Sequence, residues 1–289
     1  MKAAAPGSGR ATPAWHGAGA TRAPHAGGTT LLTVDVEPDW GAVAEPGAAC
    51  AGLDRALPEL LGELDRRGVR ATFFVVGELA ERFARHVDAS RTAHEVGAHG
   101  LTHRRLSRLP GGELLREVSE ARARLLAAGF AVGGFRAPFL DAPAALPAAL
   151  ARAGYCYDAS GGALGPSFAN GGAPRGAEGR ADVARIPAAS LRACRLPANL
   201  TWLRLLDPLG MVLMARAPSQ FSLHLHELLP AARGMAGLPR PLAQLHARGC
   251  GPRAWALLRR ALDRARDDGA RFVTCRELLA GAPCAVGAA

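Results

Sequence analysis

Lysine is all but missing from this chain. Lys2 is the only one, so almost the whole positive charge is arginine, and aromatic residues make up only 5% of the sequence. No basic run is interleaved with aromatics. A nucleic-acid surface needs clustered cations beside stacking platforms, so no nucleic-acid partner is expected despite a formal net charge of +10. The arginines are scattered through almost every predicted helix, as a compositional preference for Arg and Ala would leave them. Attraction to an anionic membrane surface or to a phosphorylated substrate stays open.

Paired cysteines are missing too. Cys50, Cys156, Cys194, Cys250, Cys275 and Cys284 are widely spaced and contain no C-x-x-C, which argues against a zinc knuckle or a disulfide framework; all six are expected to be reduced. No window reaches the roughly eighteen apolar residues of a transmembrane helix. Residues 1–28 are rich in Gly, Ala and Pro and lack the apolar core, about 7–15 residues long, of a secretory signal. The expected location is cytoplasmic, with peripheral membrane association left open.

What is present is apolar and rhythmic. Apolar residues are 49% of the 289, enough for one large core. Residues 1–28 are expected to be a disordered extension and 29–282 a single domain. Within it, "TTLLTVDVE" reads as a buried strand, "LDRALPELLGELDRRGV" as a helix closing on Gly68, and "RATFFVV" as a strand. "GELAERFARHV" follows as a helix, "HEVGA" as a strand, and "GGELLREVSEARARLLAAG" as a strongly periodic helix. "GGFRAP", "PAALPAALARAG" and "YCYDAS" continue the alternation of strand, helix and strand. That alternation predicts an α/β fold, a parallel sheet covered by helices and closed or nearly closed into a barrel.

Beyond Gly161 a glycine-rich stretch to Arg180 predicts a loop. The apolar segment Ser190–Pro218 predicts a core helix interrupted by Pro208, with Trp202, Met211 and Met214 as core residues; a lid or membrane-touching segment is the alternative. "QFSLHLHELL" predicts a late strand, and residues 254–279 a helix, a strand and a short helix.

Parallel sheets gather functional groups at the carboxyl edges of their strands. The polar residues at the predicted strand ends are Asp35, Glu37 and Asp39, then His99 and His103, Arg136, Asp158, and finally His224 and His226. Asp35 and Glu37 share a strand face, with Cα atoms roughly 6–7 Å apart. Two carboxylates so placed repel unless a cation sits between them. His99 and His103, at i and i+4, would lie on one side of a helical turn and grip one ion. Two imidazoles and a carboxylate leave positions open for water and substrate, as a catalytic zinc or related divalent site requires. His16, His25, His86, His94 and His246 are expected to be solvated or structural.

The ordered motifs "LTVDVEPDW", "RATFFVVG", "HEVGAHGLTHRRL", "GFRAPF", "YDAS" and "SLHLHE" together resemble the polysaccharide deacetylase family, the NodB-homology carbohydrate esterases, from about Thr29 to Leu279. The resemblance implies a distorted (β/α) barrel of about seven parallel strands. It implies removal of acyl groups from N-acylated amino sugars with one divalent metal, zinc being the expected ion and Co2+, Ni2+ or Mn2+ the alternatives. It assigns Asp35 as catalytic base, Arg136 as the arginine orienting it, and His99 and His103 as metal ligands. Glu37 takes the place of the family's usual metal aspartate, with Asp39 the alternative ligand or a substrate contact. His224 or His226 matches the late general acid. Trp40, Pro138, Phe139 and Asp158 fall on the substrate side. The implied partner is an N-acylated sugar or glycan. Two alternatives stay open: a catalytically silent carbohydrate-binding barrel, motivated by Glu37, and a deformylase or deacetylase of a lipid-linked amino sugar, suggested by the apolar 190–218 segment and the positive charge. The sequence does not indicate an oligomeric state.

Overall fold

A computed structural model of the chain describes residues 28–41, 49–90, 92–161, 183–187, 196–213, 220–230 and 239–279. Strands β1 (Thr29–Val36), β2 (Thr72–Val75), β3 (Glu95–Ala98), β4 (Gly134–Phe135), β5 (Tyr157–Gly161), β6 (Ala184–Pro187) and β7 (Gln220–His224) form one sheet in the order β6-β5-β4-β3-β2-β1-β7. An eighth strand, β8 (Arg271–Val273), pairs with the start of β1, and every pairing is parallel. The curled sheet is the expected distorted (β/α) barrel.

Alternation along β1 decides what lies on each side. Leu32, Val34 and Val36 join the main core with Phe73 and Val75, whereas Leu31 joins a second cluster with Phe74, Tyr157, Ile186 and Val273. Thr33 and Asp35 share the strand face of Leu31, so the barrel interior is apolar at its base and polar at the carboxyl edge. Its width is set by glycine: an added methyl at Gly134 would overlap the Tyr157 ring, and one at Gly97 would come within 2.8 Å of the Phe74 ring.

Helices α1 (Leu57–Arg67), α2 (Ala80–Ala84), α3 (Glu113–Ala127) and α4 (Leu146–Arg152) alternate with the strands. In α1, Leu57, Leu60 and Leu64 recur on one face and are fully buried, each contributing about 1.5–3 kcal/mol. The helix ends where Gly68 turns left-handed at φ 63°, a conformation without steric cost for glycine. Pro208 does interrupt the later apolar segment, between α5 (Leu200–Leu206) and α6 (Leu209–Leu213), since proline removes a helical donor. Trp202 and Met211 pack half-buried against the core; Met214 lies outside the described residues. The remaining helices are α7 (Arg240–Ala247), α8 (Pro252–Asp267) and α9 (Cys275–Leu278).

Two elements had no sequence expectation. In β6 only Ile186 is buried, and in α7 no residue is, so neither carries an apolar pattern strong enough to mark it. One expectation is corrected: Cys156 is disulfide-bonded, while Cys50, Cys250 and Cys275 are free thiols. Cys194 and Cys284 lie outside the described residues, as do residues 1–27 of the expected extension and residues 162–180 of the expected loop. Among the described residues no helix is long and apolar enough to cross a membrane.

Candidate active site

The carboxyl edge of the sheet opens into a cavity of about 240 Å³ lined by Asp35, Glu37, Trp40, His99, Arg136, Phe139, His224 and His226, among others. Asp35, at the end of β1, is held from inside the barrel. Its Oδ1 accepts from Arg136 Nη1 at 2.7 Å, and the same nitrogen donates to Thr33 Oγ1 at 3.0 Å. The guanidinium also lies 4.3 Å above the Phe74 ring and donates from Nε to the Ala159 carbonyl. Gln220, with its amide nitrogen facing the Pro187 carbonyl, accepts from Arg136 Nη2 at 2.6 Å and so links β7 to β6. Burial opposes ionisation of Asp35, but the charges of Arg136, His99 and His224 together outweigh it and lower the carboxyl's pKa.

Glu37 and the two histidines form the one group of metal-ligand type found among the described residues. The Glu37 Oε2 atom lies 3.4 Å from His99 Nε2 and 2.7 Å from His103 Nε2. Their donor atoms all fall within 4.8 Å of one another, and all three residues are buried. Ring orientation supports the same use, because His99 Nδ1 sits 2.9 Å from the Arg136 carbonyl. Donation from Nδ1 to that oxygen turns the Nε2 lone pair toward Glu37, a common second contact of metal-binding histidines. The donor set therefore fits a divalent ion of the zinc type.

The expected helical turn between the histidines is not there. They flank a loop in which Gly100 (φ 73°) and His103 (φ 59°) are left-handed, and their ring centroids are 5.3 Å apart. Glu117 of α3 holds that loop: its Oε1 accepts from the backbone N–H groups of Leu101 and Thr102 at 3.0 and 2.8 Å. Sequence reasoning missed Glu117, since a glutamate inside an amphipathic helix reads as surface; in the fold it is only 2% exposed.

His224 and His226 stay neighbours, their rings stacked with centroids 5.3 Å apart, but sit on different elements. The strand stops at His224 and the chain turns into a 3-10 segment, Leu225–Leu228, so the two rings do not both project from one strand face. His224 Nε2 lies 3.8 Å from Asp35 Oδ2 and its Nδ1 lies 3.4 Å from Glu227 Oε2. The Glu227 carboxylate accepts from the His224 amide at 2.9 Å and from Thr201 Oγ1 at 2.7 Å, and it pairs with buried Arg204 at 2.8 Å. Burial works against a charged His224, but Glu37, Glu227 and Asp35 lift it to about 10. Burial and the charge of His224 push His226 down to about 4. The Nδ1 of His226 accepts from the Trp40 amide at 3.3 Å, and its ring lies 4.6 Å from the Trp40 ring.

Other sequence candidates find different employment. Asp39 does not join the donor cluster: its two oxygens accept from Ala51 N and Gly52 N at 2.8 and 2.9 Å, satisfying amides at the start of the helical segment that leads into α1. Asp158 is buried and accepts from Ser160 N at 2.8 Å, and Pro138 is buried beside Gly100; neither lines the cavity. Conversely, His246, expected to be solvated or structural, does line it, as do Thr201 and Arg204. His94 is structural, its Nδ1 accepting from Ala71 N at 3.2 Å.

Among the described residues the non-glycine positions with left-handed backbone are Trp40, His103, Phe139 and Leu140, all at this site. Each costs about 1–2 kcal/mol relative to ordinary backbone, and strain of this kind concentrates where the surrounding structure fixes a functional geometry.

The sequence profile of the polysaccharide deacetylase family matches residues 24–157. A family 4 carbohydrate esterase from Streptomyces lividans, solved with acetate, is 26% identical over 46% of this chain and 62% of its own, with a TM-score of 0.35. A deacetylase named T48, solved with substrate, is 18% identical over 89% of this chain and 94% of its own, with a TM-score of 0.50. A pseudoenzyme of the same esterase family from Bacillus anthracis is 14% identical over 87% and 66%, with a TM-score of 0.51. Residues 24–157, which hold the first-strand carboxylates, both loop histidines and Arg136, are thus similar to the polysaccharide deacetylase family.

Proposed function

We propose that the protein is a metal-dependent hydrolase that removes an acetyl or other acyl group from an N-acylated amino sugar in a polysaccharide or glycoconjugate. One observation carries the reading: a single cavity is lined by the Asp35–Arg136 pair, His224, Glu37 and His99, with His103 completing the donor set through its contact with Glu37. The substitution that motivated a silent barrel loses its force here, because the Glu37 carboxylate reaches both imidazoles.

Glu37, His99 and His103 would hold the ion, zinc fitting such a donor set best, with Co2+, Ni2+ and Mn2+ as alternatives. When bound, a divalent ion polarises an amide carbonyl as a Lewis acid and makes water a stronger acid. Asp35, kept ionised and aimed by Arg136, accepts a proton from the attacking water through Oδ2, the oxygen that faces the cavity. His224, held by Glu227, delivers a proton to the departing nitrogen as the C–N bond breaks, leaving a carboxylate and a free amine. His226, kept neutral between Trp40 and His224, is the weaker choice for that acid. Trp40 and Phe139 line the space for the sugar.

The reaction is placed in one domain, residues 29–282, with residues 1–28 as an extension. The disulfide at Cys156 favours an oxidising compartment over the cytoplasmic location expected from the sequence. A lipid-linked amino sugar stays as the second reading of the substrate, favoured by Leu209 and Val212, which α6 leaves exposed.

The test is metal analysis combined with amine release from N-acetylglucosamine oligomers and polyprenyl-phosphate sugars. The purified protein should carry about one divalent ion per chain. Asp35→Asn should keep the ion and lose about 10²–10⁴ in turnover. A folded chain without metal affinity would favour the silent barrel instead.

A further inference from the structure

A cation stacks on Phe139, one wall of this cavity. The Arg105 guanidinium lies with its Cζ 4.5 Å above the Phe139 ring, and that ring lies 4.6 Å from the imidazole of His103. Arg105 is thus within about 9 Å of a metal-ligand ring, the span of an amino sugar and its substituents. The platform is built at a cost, since Phe139 (φ 57°) and His103 (φ 59°) both hold left-handed backbone. Stacking fixes the guanidinium over the ring while leaving its N–H edge to solvent.

Among the described residues no carboxylate lies within ion-pair distance of Arg105. Asp141, on the Phe139 loop, is taken by the amide and hydroxyl of Ser107 at 3.0 and 2.7 Å. The neighbouring Arg104 is the one that meets Glu113 and Glu117. Within the cavity, Arg136 is neutralised by Asp35 and Arg204 by Glu227, whereas Arg105 presents beside the Phe139 wall a positive fork that no carboxylate among the described residues answers. A planar fork of N–H donors matches the two oxygens of a carboxylate or phosphate.

We propose that Arg105 recognises an oxyanion of the substrate, and that the substrate class is acidic: an N-acylated amino sugar bearing a carboxylate or phosphate on the same or the adjoining residue. The proposal rests on the deacylase reading above and narrows it.

The experiment compares amine release by the metal-loaded protein from neutral N-acetylglucosamine oligomers, from carboxylate-bearing oligomers of the same length, and from N-acetylglucosamine phosphate. The wild type should prefer one acidic substrate, and the arm that it prefers identifies carboxylate or phosphate as the source. Arg105→Ala should lower the acidic-to-neutral ratio of kcat/KM about tenfold, Arg105→Lys should retain part of it, and added salt should erode it. An unchanged ratio in Arg105→Ala overturns the proposal, as does an equal fall on acidic and neutral substrates. If the wild type releases amine from none of them, the deacylase reading fails, and calorimetric binding of the same sugars still decides the role of Arg105. Acid-selective binding lost in Arg105→Ala supports it, and binding without selectivity sinks it.

Discussion

Asp35 Oδ1 and Arg136 Nη1 meet at 2.7 Å although β1 and β4, whose ends carry them, are separated in the sheet by β2 and β3. The contact crosses the inside of the curled sheet and leaves Oδ2 to face His224. Arg136→Lys keeps a positive charge but loses the fork that reaches Thr33, Gln220 and Asp35 together. The expected outcome is a fall in kcat of about tenfold or more with ion content retained, read by steady-state amine release and metal analysis on the same preparation. Loss of the ion instead would mean that Arg136 acts on the donor set, through its carbonyl contact with His99, and not on Asp35.

Glu117 tests how the histidine loop is held. Glu117→Gln keeps one carbonyl oxygen for the Leu101 and Thr102 amides but loses the charge that strengthens those bonds. Metal affinity should weaken about tenfold, the lower end for groups that orient ligands, while His99→Ala and His103→Ala should remove binding altogether. Competition with a chromophoric chelator separates these outcomes. Equal affinity in Glu117→Gln and wild type would make the loop self-supporting.

The two late histidines make opposite predictions. His224→Asn should lower kcat by about 10²–10⁴, whereas His226→Asn should act mainly through KM, because its ring abuts Trp40 at the cavity wall. Steady-state kinetics on both variants decide the assignment, and a larger kcat loss in His226→Asn would reverse it.

What the sequence could announce was whatever repeats or whatever a strand end exposes. The β1 alternation placed Asp35 and Glu37 on one face, and the order of strand-end polar residues gathered Arg136 and His224 at the same edge. Contacts between residues far apart in the chain left no such mark. Glu117 sits 16 positions from Leu101 and Arg204 sits 23 from Glu227, so nothing local distinguishes them from surface charges. Asp39 shows the converse error: a carboxylate two positions past Glu37 looked like a ligand, yet the chain turns at Asp39–Gly41 and spends it on Ala51 and Gly52. The helical spacing of His99 and His103 was a coincidence of counting, since their convergence comes from left-handed backbone at Gly100 and His103.

The last prediction concerns the scaffold on the helix side. Glu63 of α1 is nearly buried and accepts from Arg67 Nε at 2.7 Å and from Arg66 Nη2 at 2.8 Å, with Arg259 of α8 at 3.4 Å. The Arg67 hydrogen bond, opposed by burial and aided by Arg66 and the Arg259 charge, holds its carboxyl at about 2 against an ordinary 4.5. A carboxyl whose folded pKa lies below its unfolded one binds protons more weakly when folded, so it stabilises the fold fully above about 4.5 and loses that contribution as pH falls toward 2. Glu63→Gln should therefore be less stable than wild type at pH 7, and the gap should close between pH 4.5 and 2. Urea midpoints of both proteins across that range measure it. A gap that persists undiminished at the acid end would mean that Glu63 acts through packing, and that the link from α1 to α8 is carried by other groups.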